Sequence, residues 1–337
     1  MKRREFLLTA AATTAAAAPL APDLPDTLLA EAYEQAARQN VLASVNPQVF
    51  PGYFSVCADG RGFGFGNSYP SLDGHQLTDA LLWLGQVDTA LANFAYVRSF
   101  QRPDGNLPLA IFPSQAGKTV GPAGFTATID PNGGLYQHWV PGNPLAALAS
   151  PTFIQNADVI FRRTLHLAWL RDQLPAINLA ARFLESLVTP EGTVRGAGYY
   201  VERPTRLDCD AVTQPHAADA FLRAAALNRL AGDRAQASRL HALATRIRRY
   251  FVSNFWTRHG RFAEYRHPQR GFISRHGYTD ADWAALAFGF ATPAQTAQLW
   301  PRIRDEKNFE FGGMPTAIAT EPENYEAWEF AYPDRMD

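Results

Sequence analysis

The stretch that decides the fold is 212–254, VTQPHAADAFLRAAALNRLAGDRAQASRLHALATRIRRYFVSN. On both sides of Gly232-Asp233, apolar residues recur three and four apart, the spacing of one helical face. Glycine ends a helix because it alone enters the left-handed region cheaply, and an aspartate after it caps the next helix. The stretch therefore predicts two helices, 212–231 and 233–254, folded back on each other across a tight turn. It predicts a helical hairpin.

Working outward, the same periodicity predicts helices at 26–42, 75–101, 153–173, 176–188, 278–290 and 293–304, with a further one beginning near Asn324. Pro175 is expected to separate the two central helices, and Thr292-Pro293 to open the last as N-cap and first helical residue. Almost no strand signal competes. Between hairpins a theme recurs of helix end, turn and short apolar segment: QRPDGNLPLAIF (101–112), TPEGTVRGAGYY (189–200) and TRHGRFAEY (257–265). Repeated helix pairs with long loops at alternate connections predict an all-α toroid. Inner helices would form a ring, and loops 52–74, 102–152, 190–211 and 255–277 would gather at one mouth.

Composition narrows the partners. With 19% charged residues and a formal net charge of −1 over 337 residues, no basic stripe is present for nucleic acid. Aromatics make up 12%, enough to supply both a core and flat faces for sugar rings. Cys57 and Cys209 form no metal-ligand spacing, and neither HExxH, GxxxxGK[ST], GxGxxG after a strand nor GxSxG occurs. The glycines around Lys118 in PSQAGKTVGPAG lack the spacing of a phosphate loop. No metal and no organic cofactor is expected.

The N-terminus, MKRREFLLTAAATTAAAAPLAPD, runs basic, apolar, small. Arg3-Arg4 followed by Phe6-Leu7 resembles a twin-arginine export signal, which carries folded proteins across the bacterial inner membrane. Residues 1–21 are read as that signal and 22–337 as one mature catalytic domain, mildly acidic and periplasmic or secreted. No later segment reaches the ~18 uninterrupted apolar residues of a membrane span.

Four stretches together carry a family resemblance: DALLWLGQVDTALANFAYVRSFQRPDGNLPLAIF (79–112), DCDAVTQPHAADAFLRAAALNRLAGD (208–233), FAEYRHP (262–268) and YTDADWAALAFGFATPAQ (278–295). They resemble the six-hairpin glycosidases, the (α/α)6 toroids that include glucoamylases, processing α-glucosidases, mannosylglycerate hydrolases, α-L-rhamnosidases and glycogen-debranching-type proteins. The resemblance implies a pocket built by loops at one end of the ring, a carbohydrate substrate and, in many members, an inverting mechanism. The chain has fewer predicted helices than six hairpins need, so the ring is expected to be incomplete at the C-terminus.

Inversion needs a protonated carboxylic acid at the leaving oxygen and an ionised carboxylate that activates water, ~6.5–9.5 Å apart. Those groups must come from different loops. The resemblance places the acid in the loop before helix 212–231, within GAGYYVERPTRLDCDAV (196–212). Glu202 and Asp210 are the candidates and cannot both be the acid. Glu202 is favoured, because tyrosine rings such as Tyr199 would desolvate its carboxylate and raise its pKa. Asp210 is placed to cap the following helix. Arg206 is expected to bind sugar hydroxyls or to pair with these acids.

The base is expected late in the chain, in EPENYEAWEF (321–330), where Glu329 follows Trp328 in a Trp-Glu pair resembling that of the rhamnosidases. Asp280 and Asp282 offer a second location, in competition with capping roles. Asp73, His75 and Gln76 before a helix, and His138 beside Trp139 in a proline-rich loop, are expected to line a sugar subsite with Trp328. A lyase on the same toroid would instead need a Tyr or His base beside a neutralising Arg or Asn. A binding protein would need no acid pair at all.

Overall fold

The structure of the protein, a computed structural model, describes residues 26–55, 68–120, 127–136, 145–196, 209–311, 314–315 and 319–329. Among these, nine α-helices dominate: α1 (Thr27–Ala36), α2 (His75–Trp83), α3 (Val87–Arg98), α4 (Ala149–Thr164), α5 (Leu167–Ser186), α6 (Thr213–Ala231), α7 (Arg234–Asn254), α8 (Asp280–Ala287) and α9 (Pro293–Ile303). Four hairpins follow, α2–α3, α4–α5, α6–α7 and α8–α9. One helix of each hairpin also packs on its counterpart in the next, in the order α2, α4, α6, α8. That order is the inner row of an α/α toroid, with α3, α5, α7 and α9 outside it.

The hairpin 213–254 forms as its sequence predicts. Gly232 takes φ 101 at the end of α6, and the Asp233 carboxylate accepts from the Gln236 N–H, 2.9 Å away, to open α7. The apolar face of α6, with Phe221, Ala224 and Leu227, meets Leu240, Ala244, Ile247 and Phe251 of α7 in one continuous core.

Two expected boundaries are corrected. The predicted helix 75–101 is a hairpin, because Gly85 turns left-handed at φ 76 and lets Leu82 and Phe94 both enter the core. Pro175 lies inside α5, and the break falls at Leu165 instead, at φ 52. Proline costs about 3 kcal/mol inside a helix. Burial of Leu170, Ala176, Ile177, Ala180 and Leu184 along the same helix outweighs that loss.

Four two-stranded antiparallel ribbons decorate the loops: β1 (Ala110–Ile111) with β4 (Gly134–Leu135), β2 (Thr119–Val120) with β3 (Ala127–Thr128), β5 (Tyr265–His267) with β6 (Gly271–Ile273), and β7 (Glu310–Phe311) with β8 (Met314–Pro315). The long loops touch one another in succession. Ser68 bridges Ile111, Gly196 lies against Ala146, Asp210 bridges Tyr265, and Thr279 bridges Ala319. They therefore share the end of the molecule where α2, α4, α6 and α8 begin. The short connections 84–86, 165–166, 232–233 and 288–292 lie between the helices of each hairpin. Gly105 in the RPDGN turn, at φ 94, shows how tightly a loop can dock, since a Cβ there would lie 2.1 Å from the Leu179 carbonyl of α5.

No described helix is long and apolar enough to cross a membrane. The helix expected near Asn324 is replaced, as far as Glu329, by two single 3-10 turns, Pro322–Asn324 and Ala327–Glu329.

Candidate active site

At the loop end, the segment 319–329 lies across the hairpin loop 255–279. Backbone contacts fix its first half: Thr320 N–H donates to the Tyr278 carbonyl at 2.9 Å and Glu321 N–H to the His276 carbonyl at 3.1 Å. Gly277 makes that crossing possible. It has φ 79, and a Cβ would lie 2.0 Å from Thr320 Oγ1. We refer to 319–329 as the strap.

The second half of the strap is fixed by ionisable groups. Glu329, wholly buried, accepts from Tyr265 Oη at 2.8 Å, Arg275 Nη2 at 2.5 Å and the Glu326 N–H at 2.8 Å, and meets His276 Nε2 at 3.2 Å. His276 Nδ1 faces Glu264 Oε2 at 2.6 Å, and Tyr325 Oη donates to Glu264 Oε1 at 2.8 Å. Tyr325 also stacks on the imidazole at 3.6 Å between centroids. Glu264 and His276 are as fully buried as Glu329.

Burial works against every charge in this cluster, and charged partners overcome it. Burial raises the Glu329 carboxyl, but the His276 hydrogen bond, the Glu326 N–H, the imidazole charge and the Tyr265 hydroxyl bring it down to about 2. Burial lowers His276, yet its hydrogen bonds to Glu264 and Glu329 and their charges leave it raised. Tyr265 is raised, first by burial and then by the Glu329 carboxylate it serves.

Asp210 stands beside this cluster, paired with Tyr265 by a β-bridge, while Ala211 N–H donates to the Glu264 carbonyl. Its buried carboxylate accepts from the Thr213 N–H at 3.0 Å and the Thr213 hydroxyl at 2.7 Å, closing the first turn of α6. Gln214 holds the approach to that turn through the backbone of Val194 and Asp210. Cys209, just before, takes a left-handed φ of 46, so the chain turns sharply into the helix.

Asp282 is a fourth buried acid at the same end. It accepts from the Phe262 N–H at 2.7 Å and the Thr279 N–H at 3.0 Å, completing a capping box with Thr279. Burial pushes its carboxyl up to about 7 against the pull of those two N–H groups.

The structure therefore brings Asp210 and Glu329 to one end. Trp328 lies beside Glu329, with Arg270 at 4.2 Å and Arg275 at 5.3 Å over its ring, the His267 ring at 5.2 Å, and its indole N–H donating to Glu326. Asp73 lies in the turn Pro70–Gly74, and His75 and Gln76 open α2 at the same end. Tyr199, Glu202 and Arg206, with His138, Trp139 and the expected signal 1–21, lie outside the described residues. Glu264, Tyr265, Arg275, His276 and Tyr325 are members of the cluster that sequence reasoning passed over. The one signal was the FAEY run, where a charged residue interrupts an apolar segment. Among the described residues no group of three or more His, Cys, Asp or Glu is arranged to hold a metal.

No protein-family model matches the chain, and no curated protein matches it either. Solved structures do. A GH78 family rhamnosidase of Bacillus sp. GL1 superposes with a TM-score of 0.60 at 11% identity, over 83% of this chain and 26% of that one. A rhamnosidase from Klebsiella oxytoca with rhamnose bound gives 0.59 at 14%, over 86% and 49%. A GH63 mannosylglycerate hydrolase from Thermus thermophilus gives 0.52 at 15%, over 79% and 77%. The chain thus spans about a quarter and about half of the two rhamnosidases. Helical hairpins in sequence, an inner row of helices and loops joined at one end give this chain the α/α-toroid fold of the six-hairpin glycosidases.

Proposed function

We propose that the chain is the catalytic domain of an exported glycoside hydrolase that cleaves an oligo- or polysaccharide by inversion. The observation that carries the reading is Glu329, a carboxylate held ionised at the loop end of a glycosidase-type toroid, in the segment expected to supply the base. Its Oε1 accepts a single hydrogen bond among the described residues, from Tyr265, which leaves a lone pair for a proton from water. The acid comes from the loop before α6. Because Asp210 is engaged by Thr213 as a cap, Glu202 is the acid and Asp210 supports the loop that carries it. Tyr199, Arg206, His138, Trp139, Asp73, His75 and Gln76 contact the sugar, and Trp328 walls the site with its arginines. No cofactor takes part.

A second reading has one observation behind it. A carboxyl brought down to about 2 and wholly buried also fits a structural ion, and then the pocket binds sugar without cutting it. The lyase reading is weaker, because Tyr265, raised by burial and by Glu329, makes a poor base.

The test is a screen of aryl-glycosides and oligosaccharides for reducing-sugar release, with the anomer of the first product followed by NMR. Inverted product supports the reading, retained product removes the inverting mechanism, and binding without release favours the second reading. An unsaturated, ultraviolet-absorbing product would establish a lyase. Glu202→Gln should lower turnover ~10²–10⁴-fold on poor leaving groups with the fold intact. An active Glu202→Gln beside a folded, inactive Asp210→Asn would move the acid to Asp210. Export is tested by Arg3→Lys with Arg4→Lys, which should strand the precursor in the cytoplasm, since the transporter reads the guanidinium pair.

A further inference from the structure

We propose that His276 is an imidazolium that latches the strap 319–329 onto the loop 255–279, so that Glu329 is held in place only while that proton is kept. The latch stands on geometry alone. Its catalytic consequence rests on the reading of Glu329 as the base.

A neutral imidazole has one N–H and one lone pair. Here both ring nitrogens face carboxylate oxygens, Nδ1 toward Glu264 and Nε2 toward Glu329, and all three side chains are wholly buried. A neutral ring would set a lone pair against a carboxylate oxygen without water to relieve it, which is costly in a buried site. Charge balance leads to the same place. Among the described residues, Glu329 shares the Arg275 guanidinium, at 2.5 Å, with the exposed Glu326 at 3.3 Å. A positive charge between the two buried carboxylates offsets what that shared guanidinium leaves uncompensated, and His276 is the group between them.

The surroundings of the ring are specific. Glu264 and Tyr265 come from the loop and β5, Arg275 adjoins His276 in the chain, and the strap brings Glu326, Glu329 and Tyr325, whose ring lies on the imidazole. At the strap's other edge Arg261 approaches Glu321 at 3.8 Å. Among the described residues, the hydrogen bonds from strap residues 325–329 to loop 255–279 run to this cluster, beside the Arg275–Asn324 contacts and the Arg270 guanidinium over Trp328. Deprotonation would leave two buried carboxylates facing each other across a neutral ring. The relief is for the strap to lift and rehydrate Glu329, with the proton passing from His276 to solvent.

Full-length protein labelled with 15N at imidazole nitrogens gives the direct test, the His276 signal being assigned by its loss in His276→Gln. Both ring nitrogens should be protonated at pH 7, and the ring should titrate above the ordinary 6.5 of histidine. A neutral ring at pH 7 overturns the proposal. Hydrogen exchange of the 319–329 peptide, corrected for intrinsic rate, should lose at least about tenfold in protection across the same pH step. Constant protection across that step also overturns it. If His276→Gln does not fold, Glu264→Gln serves instead. With one carboxylate gone, both the ring titration and the exchange step should move to lower pH together, and a shift in one alone counts against the latch.

Activity separates the two claims. If the enzyme reading holds, the alkaline fall in kcat should follow the His276 midpoint and move with it in Glu264→Gln, with KM changing less. A protein with the latch but no glycosidase activity would sink the function and leave the latch standing. A glycosidase whose His276 is neutral would do the reverse.

Discussion

Two buried carboxylates at the same end of this molecule behave in opposite ways. Asp282 at the start of α8 and Glu329 on the strap are both wholly inaccessible, and both accept backbone N–H bonds. Yet Asp282 is pushed up to about 7 and Glu329 falls to about 2. The difference is the charge of their partners. Asp282 is held by two neutral dipoles, with Arg261 as a weaker influence, so the desolvation penalty prevails. Glu329 has the imidazole of His276, with its charge, and the Glu326 N–H on one oxygen and the Tyr265 hydroxyl on the other. Burial sets how strongly a charge is felt in the interior, and the partners set the sign.

The largest expected effect lies on the charged side of that comparison. Glu329→Gln should cost about 3 kcal/mol of stability near pH 6, because it leaves His276 and Arg275 short of a counter-charge. If the enzyme reading is right, turnover should also fall ~10²–10⁴-fold. Urea midpoints together with product release measure both. A stability loss below about 1 kcal/mol would mean that the cluster carries no net charge to compensate.

Next in size is the neutral side. Asp282→Ala should cost about 2 kcal/mol by orphaning the buried Phe262 and Thr279 N–H groups. Asp282→Asn, which keeps an acceptor for one of the two N–H groups, should cost less.

The sharpest form of the comparison is its pH dependence, because the two shifts predict slopes of opposite sign. The folded-state pKa of Asp282 lies above its ordinary 3.8, so the stabilising proton is fully held below that value and is lost as pH rises through about 7. Wild type should therefore lose stability relative to Asp282→Asn between about pH 4 and pH 7. The folded-state pKa of Glu329 lies below its ordinary 4.5, so its contribution is present above that value and is lost as pH falls through about 2. Wild type should gain on Glu329→Gln as pH rises through that window. The raised His276 contributes below 6.5 and loses its contribution as pH climbs through its folded value. Urea titrations at half-unit steps would check all three, and parallel slopes for the two acid variants would break the comparison.

The smallest effect belongs to Asp210. If its carboxylate only caps α6, Asp210→Asn should cost about 1 kcal/mol and leave turnover within a few-fold of wild type. A folded variant without turnover would move it from cap to acid.

The residues explain how much of this was legible. Gly232-Asp233 and Thr292-Pro293 were readable because a cap is a local matter: the glycine's left-handed φ and the side-chain bonds of Asp233 and Thr292 join near neighbours in the chain. The Thr213 bonds of Asp210 are likewise local, three positions along the chain. Pro175 was misread as a break because the proline's local cost is real, but burial along α5 against distant helices overrides it. Glu329 was singled out from a two-residue likeness beside a tryptophan. Glu264 and His276 had nothing local to mark them, because their side-chain partners lie 12 to 61 positions away.

The sequence by itself determined three of the four helical hairpins, the punctuation of two of them and the alternation of short and long connections, all consequences of periodicity and capping within a few residues. Only the tertiary structure decided which acids meet at the mouth, that the Glu329 carboxyl is brought down while that of Asp282 is pushed up, and that a histidine joins two carboxylates. Local propensity acts over one helical turn. A pKa depends on charges a few ångströms away in space, and the fold alone brings residues 264, 276 and 329 within that distance.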